Sequence, residues 1–467
     1  MYLNYVIYGI YGRLPIILQN LAISCYGLLL YFQRYGRYYR RFLRIYTNRN
    51  YTSGKLAKRY QDKAFTRLVR YAVLHSPYYQ ERYQNLDWKK ITSVKDIRML
   101  PVLTKEELKY HLNEIYTISK YRGIKFYTGG TTGKPMMVLK RKIDVQKRMA
   151  YLDAYRLSYG FAANKMRLAR FIGKNIIPGN AKKHIFWRDN VVLKQRLYSS
   201  YHLKEENLPS IIKNLEQYRP AAIEGFVSCI YTLAKYMEEN HLQMKFRPKV
   251  IFTTAETVLP LHREVIERVF GCPLSDQYAS NEGAPFIIQC RYGQYHEALD
   301  TGIFEHIPTS GGMKLVVTSF DSFGTPLIRY DIGDQIIEQE QLNCPCGSCF
   351  PTIGGIKGRD TDVLITKSRG KVSLASLSVM VSELSKKAGN VQFIQENPDE
   401  ILLKIEASED DFSRLERDKI LGHLKWYLGE DMNFHIQFVT QIEREKSGKY
   451  RMVLNRMDAE IGKGYGK

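Results

Sequence analysis

Cysteine is scarce in this chain of 467 residues, which contains only seven, and no internal repeat or low-complexity tract is visible. So few cysteines cannot form a disulfide framework, and five of them fall between Cys272 and Cys349, which suggests a local use such as a metal site. The N-terminus also lacks the short apolar run and the small-residue cleavage site of a signal peptide. We therefore expect a protein of the reducing cytoplasm.

Acidic residues are absent from residues 1–50, which carry seven arginines and ten tyrosines within a chain of net charge +23. An uncharged run over 14–33 is about long enough to span a bilayer, but Pro15, Gln19 and Asn20 interrupt its apolar character. Three arrangements fit: a helix packed on the protein's own surface with a solvated basic end, a helix in peripheral contact with an anionic membrane, or a spanning helix. Nucleic acid is a further partner for Tyr- and Arg-rich sequence, but no nucleic-acid-binding module accompanies the segment, and we do not favour it.

The remaining composition is that of a globular protein, with 44% hydrophobic and 25% charged residues, and the length predicts two or three domains. Residues 51–126 have helical spacing, with one helix start capped by Thr104, and short apolar strands then alternate with helices such as Leu208–Tyr218. This pattern predicts an α/β fold. The expected units are an N-terminal helical segment over 1–60, a large domain with mixed sheets and helices over 61–357, and a small C-terminal α+β domain over 358–467.

A glycine- and threonine-rich loop with one lysine, Tyr-Thr-Gly-Gly-Thr-Thr-Gly-Lys-Pro, occupies residues 127–135. Glycines let backbone N–H groups approach phosphates closely, hydroxyls donate further hydrogen bonds, and a lysine neutralises charge. A Walker loop is excluded, because Thr128 stands where that pattern needs glycine and Pro135 stands where it needs Ser or Thr. The loop therefore predicts binding of nucleotide phosphates by another architecture.

Four further motifs follow this loop in order along the chain. They are Tyr-Ala-Ser-Asn-Glu at 278–282, Ile-Arg-Tyr-Asp-Ile-Gly-Asp at 328–334, Gly-Arg-Asp-Thr-Asp at 358–362 and Ser-Gly-Lys-Tyr-Arg at 447–451. In order and spacing the five motifs resemble those of the adenylate-forming ligases, the acyl- and aryl-CoA synthetase superfamily. The branch that they resemble most is the phenylacetate–CoA ligase family, with its relatives in capsular polysaccharide biosynthesis, over about residues 95–455.

The resemblance implies an enzyme that joins a small carboxylic acid to ATP, forms an acyl-adenylate and pyrophosphate, and passes the acyl group to coenzyme A. Its fold is expected to combine a large adenylation domain with a small mobile C-terminal domain. Because a carboxylate must approach an α-phosphate, the site needs positive charge and magnesium. The implied catalytic residues are Lys449, Glu282, which is also the expected magnesium ligand, and Lys134.

The resemblance also assigns residues to the nucleotide. Asp334 is expected to accept hydrogen bonds from both ribose hydroxyls, Tyr278 to stack near adenine, and Arg359 to contact ribose or phosphate. The segment around Glu256 is expected to line the adenine pocket mostly by backbone, and residues 223–228 to lie beside the acyl pocket. The full expected binding set is Thr128, Gly129, Gly130, Thr131, Thr132, Gly133, Lys134, Glu256, Tyr278, Ala279, Ser280, Asp334 and Arg359.

Two positions depart from the pattern of the resembled family. Asp331 replaces the arginine of the ribose motif, and Thr361 stands at the first of two adjacent acidic positions in the hinge motif. We expect adenylation to tolerate these changes. They bear on the domain rotation and on the identity of the acceptor, because the hinge and the small domain shape the second half-reaction.

Cys290, His296, Cys344 and Cys346 together offer three thiolates and an imidazole, the ligand set of a closed structural zinc site. Cys349 is an alternative ligand, and the other interpretation is a set of free buried cysteines. Similar cysteine and histidine positions in the resembled family favour zinc, whose removal would then destabilise the fold.

Other functions compete with a CoA ligase. The adenylate could be passed to an amine or hydroxyl of a sugar in surface polysaccharide biosynthesis, a pathway in which a basic N-terminal segment would favour a peripheral membrane enzyme. The chain could instead be a catalytically silent nucleotide-binding scaffold, against which the presence of Lys134, Glu282, Asp334 and Lys449 argues. Formation of a CoA thioester by the purified protein distinguishes these alternatives.

Overall fold

The computed structural model describes most of the chain: residues 10–48, 53–128, 136–173, 176–177, 185–309, 312–341, 343–359, 363–366, 370–373, 381, 384, 387–445, 448 and 450–457. Its α-helices with defined bounds are α1 (Ile16–Arg34), α2 (Arg37–Asn48), α3 (Gly54–His75), α4 (Pro77–Arg82), α5 (Lys105–Tyr110), α6 (Leu112–Ile115), α7 (Lys142–Ser158), α8 (Leu208–Tyr218), α9 (Val227–Glu239), α10 (Pro260–Phe270) and α11 (Arg414–Leu428).

The strands are β1 (Ile124–Tyr127), β2 (Met137–Lys140), β3 (Leu168–Ile172), β4 (Trp187–Asn190), β5 (Gln195–Ser199), β6 (Ala222–Gly225), β7 (Val250–Thr254), β8 (Leu274–Tyr278), β9 (Ile287–Gln289), β10 (Tyr295–Glu297), β11 (Gly302–Thr309), β12 (Gly312–Ser319), β13 (Tyr330–Ile337), β14 (Thr352–Ile353), β15 (Gly355–Arg359), β16 (Val363–Thr366), β17 (Gly370–Ser373), β18 (Val391–Asn397), β19 (Glu400–Glu406), β20 (Asn433–Val439) and β21 (Val453–Asn455). The helices and strands confirm the predicted α/β fold class.

A nine-stranded sheet is formed by strands between residues 168 and 353, in the order β14-β10-β9-β8-β7-β6-β3-β5-β4. Its middle strands β5, β3, β6, β7 and β8 are parallel, and the strands outside them are antiparallel. Ile223 and Ile251 pack on one face with residues of α8, α9 and α10, whereas Ala222 and Phe252 pack on the other face with Tyr155 of α7. Helices cover both faces, and for this reason β7 begins with three consecutive buried apolar residues, at 250–252.

A second sheet, in the order β11-β12-β13-β15, is antiparallel and shares a core with α3 to α6. Phe65 of α3 lies in the same buried cluster as Leu315 and Val317 of β12. The predicted helix start is confirmed, because the Thr104 hydroxyl accepts the backbone N–H of Glu107 while the Glu107 carboxylate accepts the backbone N–H of Thr104.

The C-terminal domain has a sheet in the order β20-β19-β18-β21, with α11 in the same core. The predicted helix and three strands of this domain are present, but the sequence missed β21, because three residues carry too little periodicity to mark a strand. The prediction that residues 51–126 are helical was wrong at its end, where β1 begins at Ile124. Four alternating residues are also too few to separate a strand from a helix by pattern.

Helix α1 covers the open edge of the nine-stranded sheet. Asn20 Oδ1 accepts the backbone N–H of Asp189 in β4 at 3.0 Å, Ser24 Oγ donates to the Asp189 carbonyl at 3.4 Å, and Gln19 Oε1 accepts from Arg188 Nε at 2.6 Å. By length and composition alone α1 could cross a membrane, which is weak evidence on its own. Its polar side chains satisfy groups that an edge strand leaves unpaired.

Candidate functional site

The carboxyl ends of the parallel strands form one edge of the nine-stranded sheet, and several segments of interest follow them. Gly173 follows β3, Ser200 follows β5, Ser228 lies in the first turn of α9 after β6, Glu256 follows β7, and the motif at 278–282 begins at the end of β8. In open α/β sheets ligands bind in the crevice outside these carboxyl ends. The topology therefore brings three of the segments predicted from the sequence to the edge where a ligand would bind.

The predicted phosphate-binding loop connects the antiparallel strands β1 and β2. Thr128 donates its backbone N–H to the Met136 carbonyl at 3.0 Å, and its hydroxyl accepts the Met136 N–H at 3.2 Å. The segment therefore joins two strands of a hairpin and not a strand to a helix, which agrees with the exclusion of a Walker loop. Of the expected binding residues, Gly129, Gly130, Thr131, Thr132, Gly133 and Lys134 lie outside the described residues.

The motif at 278–282 lies beside this hairpin. Asn281 Nδ2 donates to the Tyr127 carbonyl at 3.2 Å, which joins the end of β1 to the turn after β8. Ser280 stabilises that turn, because its hydroxyl accepts backbone N–H groups of the two residues that follow Glu282, at 3.3 and 3.1 Å. Ala279 is exposed at the start of the turn. The structure thus places the expected magnesium ligand next to the expected phosphate loop.

Glu282 is half-buried, and no group in the described part of the chain donates a hydrogen bond to its carboxylate. Free carboxylate oxygens beside a phosphate loop are the ligands that Mg²⁺ prefers, so the residue fits that ion. Lys140 of β2 is buried close by, with its ammonium nitrogen 4.4 Å from the centroid of the Phe126 ring. Burial lowers the pKa of Lys140 well below its ordinary value, and Glu282 partly opposes that shift. Lys140 could not be singled out from the sequence, because no motif marks a lysine inside a strand.

Tyr278 and Asp334 are in direct contact. The Tyr278 phenolic oxygen donates to Asp334 Oδ2 at 2.6 Å, although the two residues lie 56 positions apart. Burial, followed by the Asp334 carboxylate, raises the pKa of Tyr278 well above its usual value, so the phenol keeps the proton that it donates. Asp334 is also the cross-strand neighbour of Arg359, whose side chain lies outside the described part of the structure. The residues expected to bind adenine and ribose are therefore adjacent.

Glu256 connects the large domain to the C-terminal segment. Its carboxylate accepts the Ser228 N–H at 2.9 Å, the Ser228 hydroxyl at 3.1 Å and the backbone N–H of Tyr450 at 2.8 Å. Arg444 adds a hydrogen bond to the Ser228 hydroxyl at 2.9 Å. Burial raises the pKa of Glu256, and Arg444 is the largest influence that opposes this shift. The Glu256 side chain thus fastens the C-terminal segment to the sheet edge. This contact was not part of the prediction, in which the segment around Glu256 lines the adenine pocket mostly by its backbone.

The predicted catalytic Lys449 lies outside the described residues, but the residues on both sides of it are described. Tyr450 is held by Glu256. Gly448 has φ +77°, and a Cβ on it would lie 2.1 Å from the Cα of Gly173, so only glycine allows this approach. The positions that flank Lys449 are therefore held against the carboxyl ends of β3 and β7.

A separate cluster of three cysteines and one histidine joins β9, β10 and the segment before β14. The ligand atoms of Cys290, His296, Cys344 and Cys346 all lie within 4.8 Å of one another. The sulfurs of Cys290 and Cys344 are 3.6 Å apart, and Cys346 Sγ lies 3.4 Å from His296 Nε2. Ligands bound at about 2.3 Å to one tetrahedral ion would be separated by about 3.8 Å, so this donor set fits zinc.

Hydrogen bonds around the cluster orient its ligands. His296 Nδ1 lies 3.1 Å from the Phe350 carbonyl, and a proton on Nδ1 leaves Nε2 free to bind a metal. Burial lowers the pKa of His296, which favours the neutral imidazole that a metal needs. Gly347, at φ +76°, donates its N–H to the Cys344 carbonyl at 3.0 Å and closes the cysteine turn. Cys349, the alternative ligand, is not part of the group found among the described residues.

One curated relative decides the family. Over 458 residues the chain is 34% identical to Protein CapK of Staphylococcus aureus, and the alignment covers 97% of this chain and 100% of that protein. The chain belongs to the CapK family. Residues 364–456 also match the family described as the CapK C-terminal domain.

The fold of this CapK-family protein is that of the adenylate-forming CoA ligases. It superimposes with a TM-score of 0.69 and 17% identity on 2-hydroxyisobutyryl-CoA ligase in the postadenylation state in complex with R3-HIB-AMP, over 89% of this chain and 92% of that chain. The same ligase with 2-HIB-AMP and CoA in the thioesterification state gives a TM-score of 0.57 at the same identity and coverage. At this identity the likeness establishes the fold alone.

Sequence reasoning missed the contacts that fasten the C-terminal segment of the CapK-family chain. Ser228 was expected only as part of a pocket wall, and Arg444 was not singled out. The two are 216 positions apart, and nothing in one sequence pairs an arginine with so distant a hydroxyl. Their roles follow only from the way in which the C-terminal domain meets the sheet edge.

Proposed function

We propose that this CapK-family protein is an AMP-forming ligase that activates a carboxylic acid as an acyl-adenylate. One observation carries the proposal: segments that are far apart in the sequence meet along one edge of the nine-stranded sheet. The hydrogen bonds that join them link Asn281 to Tyr127 at the end of β1, Tyr278 to Asp334, and Glu256 to Tyr450. Such a site can present a nucleotide and a reacting acid to the same charged groups.

In the proposed reaction a carboxylate oxygen of the acid attacks the α-phosphorus of ATP. The bond from that phosphorus to the bridging oxygen breaks, and pyrophosphate leaves with the electron pair. Two anionic groups approach each other, so the site must supply positive charge where they meet. We assign Lys449 to the acid and the α-phosphate, and Lys134 to the β- and γ-phosphates. Magnesium held by Glu282 would neutralise charge on the phosphates.

The orientation of the C-terminal domain suits this first half-reaction. The docking of Gly448 and Tyr450 against the sheet edge supports a position of Lys449 beside the nucleotide. The higher TM-score with the postadenylation state than with the thioesterification state, 0.69 against 0.57, agrees with such an orientation. Acyl transfer would then require the small domain to rotate.

We further propose coenzyme A as the acyl acceptor, in the cytoplasm. Its thiol would lose a proton and attack the acyl carbonyl carbon, and AMP would leave. The motifs that resemble those of phenylacetate–CoA ligases support a thiol acceptor. An amine or hydroxyl of a sugar is the alternative acceptor. The acid has to be identified by screening, because hydrophobic pockets discriminate single methylenes by only about 1–3 kcal/mol.

The direct test is acid-dependent release of pyrophosphate from ATP and magnesium, with hydroxylamine as the acyl trap. A panel of aryl, fatty, hydroxy and amino acids should contain at least one that raises release well above the acid-free rate. Replacing hydroxylamine by CoA should then yield a thioester. Binding of ATP without turnover across a broad panel would contradict the proposed activity, and turnover without a thioester would contradict the proposed acceptor.

We also propose that the Cys290, His296, Cys344 and Cys346 cluster binds a structural zinc ion. The close donor atoms and the His296–Phe350 hydrogen bond support this assignment. All four ligands come from the protein, which leaves no open position for substrate. The ion would tie the β9–β10 turn to the segment before β14.

Asp334→Asn is expected to weaken ATP binding by about tenfold or more, because the amide nitrogen cannot accept the ribose hydrogen bond that a carboxylate oxygen can. Isothermal titration calorimetry with ATP measures the effect. Asp331→Asn is the matched control on the same strand, since its carboxylate pairs with Lys314 and not with Tyr278. Equal affinities of the Asp334 variant and the wild type would remove Asp334 from the nucleotide site.

Glu256→Gln is expected to slow pyrophosphate release by about 10- to 100-fold, because three donors would lose a charged acceptor and the Lys449 segment would lose its anchor. The decrease should fall on kcat, with little change in the KM for ATP. Glu264→Gln is the control, an exposed carboxylate on α10 that pairs with Arg268. A change confined to the KM for ATP would instead support the adenine-pocket role of Glu256.

A further inference from the structure

Helix α1 distributes its polar and apolar side chains in the reverse of the usual way. Its polar residues Gln19, Asn20 and Ser24 face the protein and bond to the edge strand β4. Gly27 allows close contact there, since a Cβ on it would lie 2.2 Å from Asn190 Oδ1. Large apolar side chains are exposed on the outer face, namely Ile17, Leu18, Leu21, Leu28, Leu29 and Phe32.

Helix α2 presents a row of positive charge directly after this apolar face. Its inner side packs on α7, where Tyr39 donates to Asp153 at 3.0 Å and Tyr46 stacks edge-on against Tyr151. The four arginines at helical spacing on its other side are exposed: Arg37, Arg40, Arg41 and Arg44. Residues 1–50 contain no acidic side chain that could neutralise them.

We propose that the exposed apolar face of α1 and the arginines of α2 form a docking surface for an anionic lipid bilayer, with α1 lying parallel to the membrane plane. Apolar side chains would enter the boundary between headgroups and acyl chains, while the arginines bind lipid phosphates. The inference goes beyond the proposed ligase chemistry and does not depend on it.

The hydrogen bonds to β4 exclude a spanning orientation for α1 in this fold. With 19 residues the helix is about 28 Å long, close to the thickness of the hydrocarbon core. To span, it would have to leave the sheet edge and carry Gln19, Asn20 and Ser24 into hydrocarbon, where unpaired polar groups are unfavourable. It would also expose the backbone groups of Asp189 that it now satisfies. An in-plane position keeps these bonds and buries the apolar face.

Charge favours lipid over a second copy of the chain as the occupant. A two-fold interface would place the same patch of both copies face to face. The arginine row of one copy would then lie against either the arginine row or the apolar α1 face of the other, and neither segment has an acidic residue to neutralise it. An anionic bilayer supplies the complementary charge together with the apolar environment.

Cys25 provides a direct probe, because it lies at the middle of α1 and is exposed, whereas the six other cysteines are buried or half-buried. An environment-sensitive fluorophore on Cys25 of the full chain should shift to the blue with vesicles containing phosphatidylglycerol, and much less with phosphatidylcholine alone. Nitroxide lipids labelled near the headgroup should quench it more than lipids labelled near the end of the acyl chain. Stronger quenching at the bilayer centre would overturn the in-plane orientation, and an unchanged spectrum would overturn lipid contact.

Matched variants test the two parts of the surface by vesicle co-sedimentation. Leu21→Glu with Leu29→Glu should reduce binding by at least about tenfold, while Leu56→Glu, whose leucine on α3 is 65% exposed against 62% for Leu29, should not. Arg40→Gln, Arg41→Gln and Arg44→Gln together should reduce binding on the order of 100-fold and weaken its salt dependence. The proposed docking surface would be refuted if the double leucine variant and the triple arginine variant both bound vesicles as tightly as the wild type. It would also be refuted if the wild type bound no vesicles but formed a dimer that the leucine substitutions dissociate.

Discussion

Replacing Lys449 by alanine is expected to lower acid-dependent pyrophosphate release by at least about 100- to 1,000-fold. The lysine ammonium would act where the acid carboxylate and the α-phosphate meet, and charge that is supplied at that point counts most in the transition state. ATP affinity should change by less than about threefold, because we propose that the hairpin and Asp334 make the main contacts to the nucleotide. Steady-state release at saturating ATP, together with calorimetric ATP titration of the same preparation, measures both quantities.

Two further variants make the Lys449 result specific. Lys446→Ala removes the same charge three positions earlier in the chain and should keep most of the activity. Lys449→Arg keeps the charge but changes its shape and reach, and should recover only part of the rate. Wild-type turnover by Lys449→Ala would show that the motif assignment is wrong. A parallel loss of ATP affinity would show that the lysine serves binding and not the adenylation step.

The ordered motifs and the cysteine–histidine pattern predicted that distant segments of the chain act together, and the structure brings some of these segments into contact. Tyr278 and Asp334 were assigned to one nucleotide from the motifs alone, and the structure joins them by a hydrogen bond. The four metal-ligand candidates were likewise drawn from separate segments and lie together in the fold. In both cases the prediction rested on residue types and their order along the chain, which are visible before the packing of the side chains is known.

Contacts between domains are not encoded in this way. Glu256 binds the backbone N–H of Tyr450, and a backbone group leaves no trace in the side-chain pattern. The close approach of Gly448 to Gly173 depends on how two segments that are far apart in the sequence meet. A glycine in a motif predicts a tight backbone position, but not the partner that makes the position tight.

Helix α1 shows a second limit of sequence patterns. Its hydropathy indicates two faces, and the usual rule places the apolar face toward the core. The structure reverses this, because the nearest element is an edge strand whose unpaired backbone groups require hydrogen bonds and not apolar contacts. The order of the sheet, which puts β4 at its end, decides which face of α1 turns inward.

Loss of one ligand from the cysteine–histidine cluster is expected to have the largest effect on stability. Cys290→Ser should lower the zinc content from about one ion per chain to nearly none, and should lower the melting temperature by at least about 5 °C, because the binding energy of a structural ion is folding energy. Treatment of the wild-type protein with a strong chelator should lower the melting temperature similarly, and added zinc should restore it. Elemental analysis and calorimetric melting provide the two readouts.

Two cysteines outside the cluster serve as controls for this result. Cys25→Ser changes an exposed thiol, and Cys349→Ser changes the half-buried alternative ligand that the cluster does not include. Both variants should keep one zinc ion and the wild-type melting temperature within about 2 °C. If Cys349→Ser loses the ion while Cys290→Ser keeps it, the ligand set is wrong. Protein purified without chelators that contains no zinc and has three reactive thiols at the cluster would support free cysteines, since a bound ion protects its thiolates from modification.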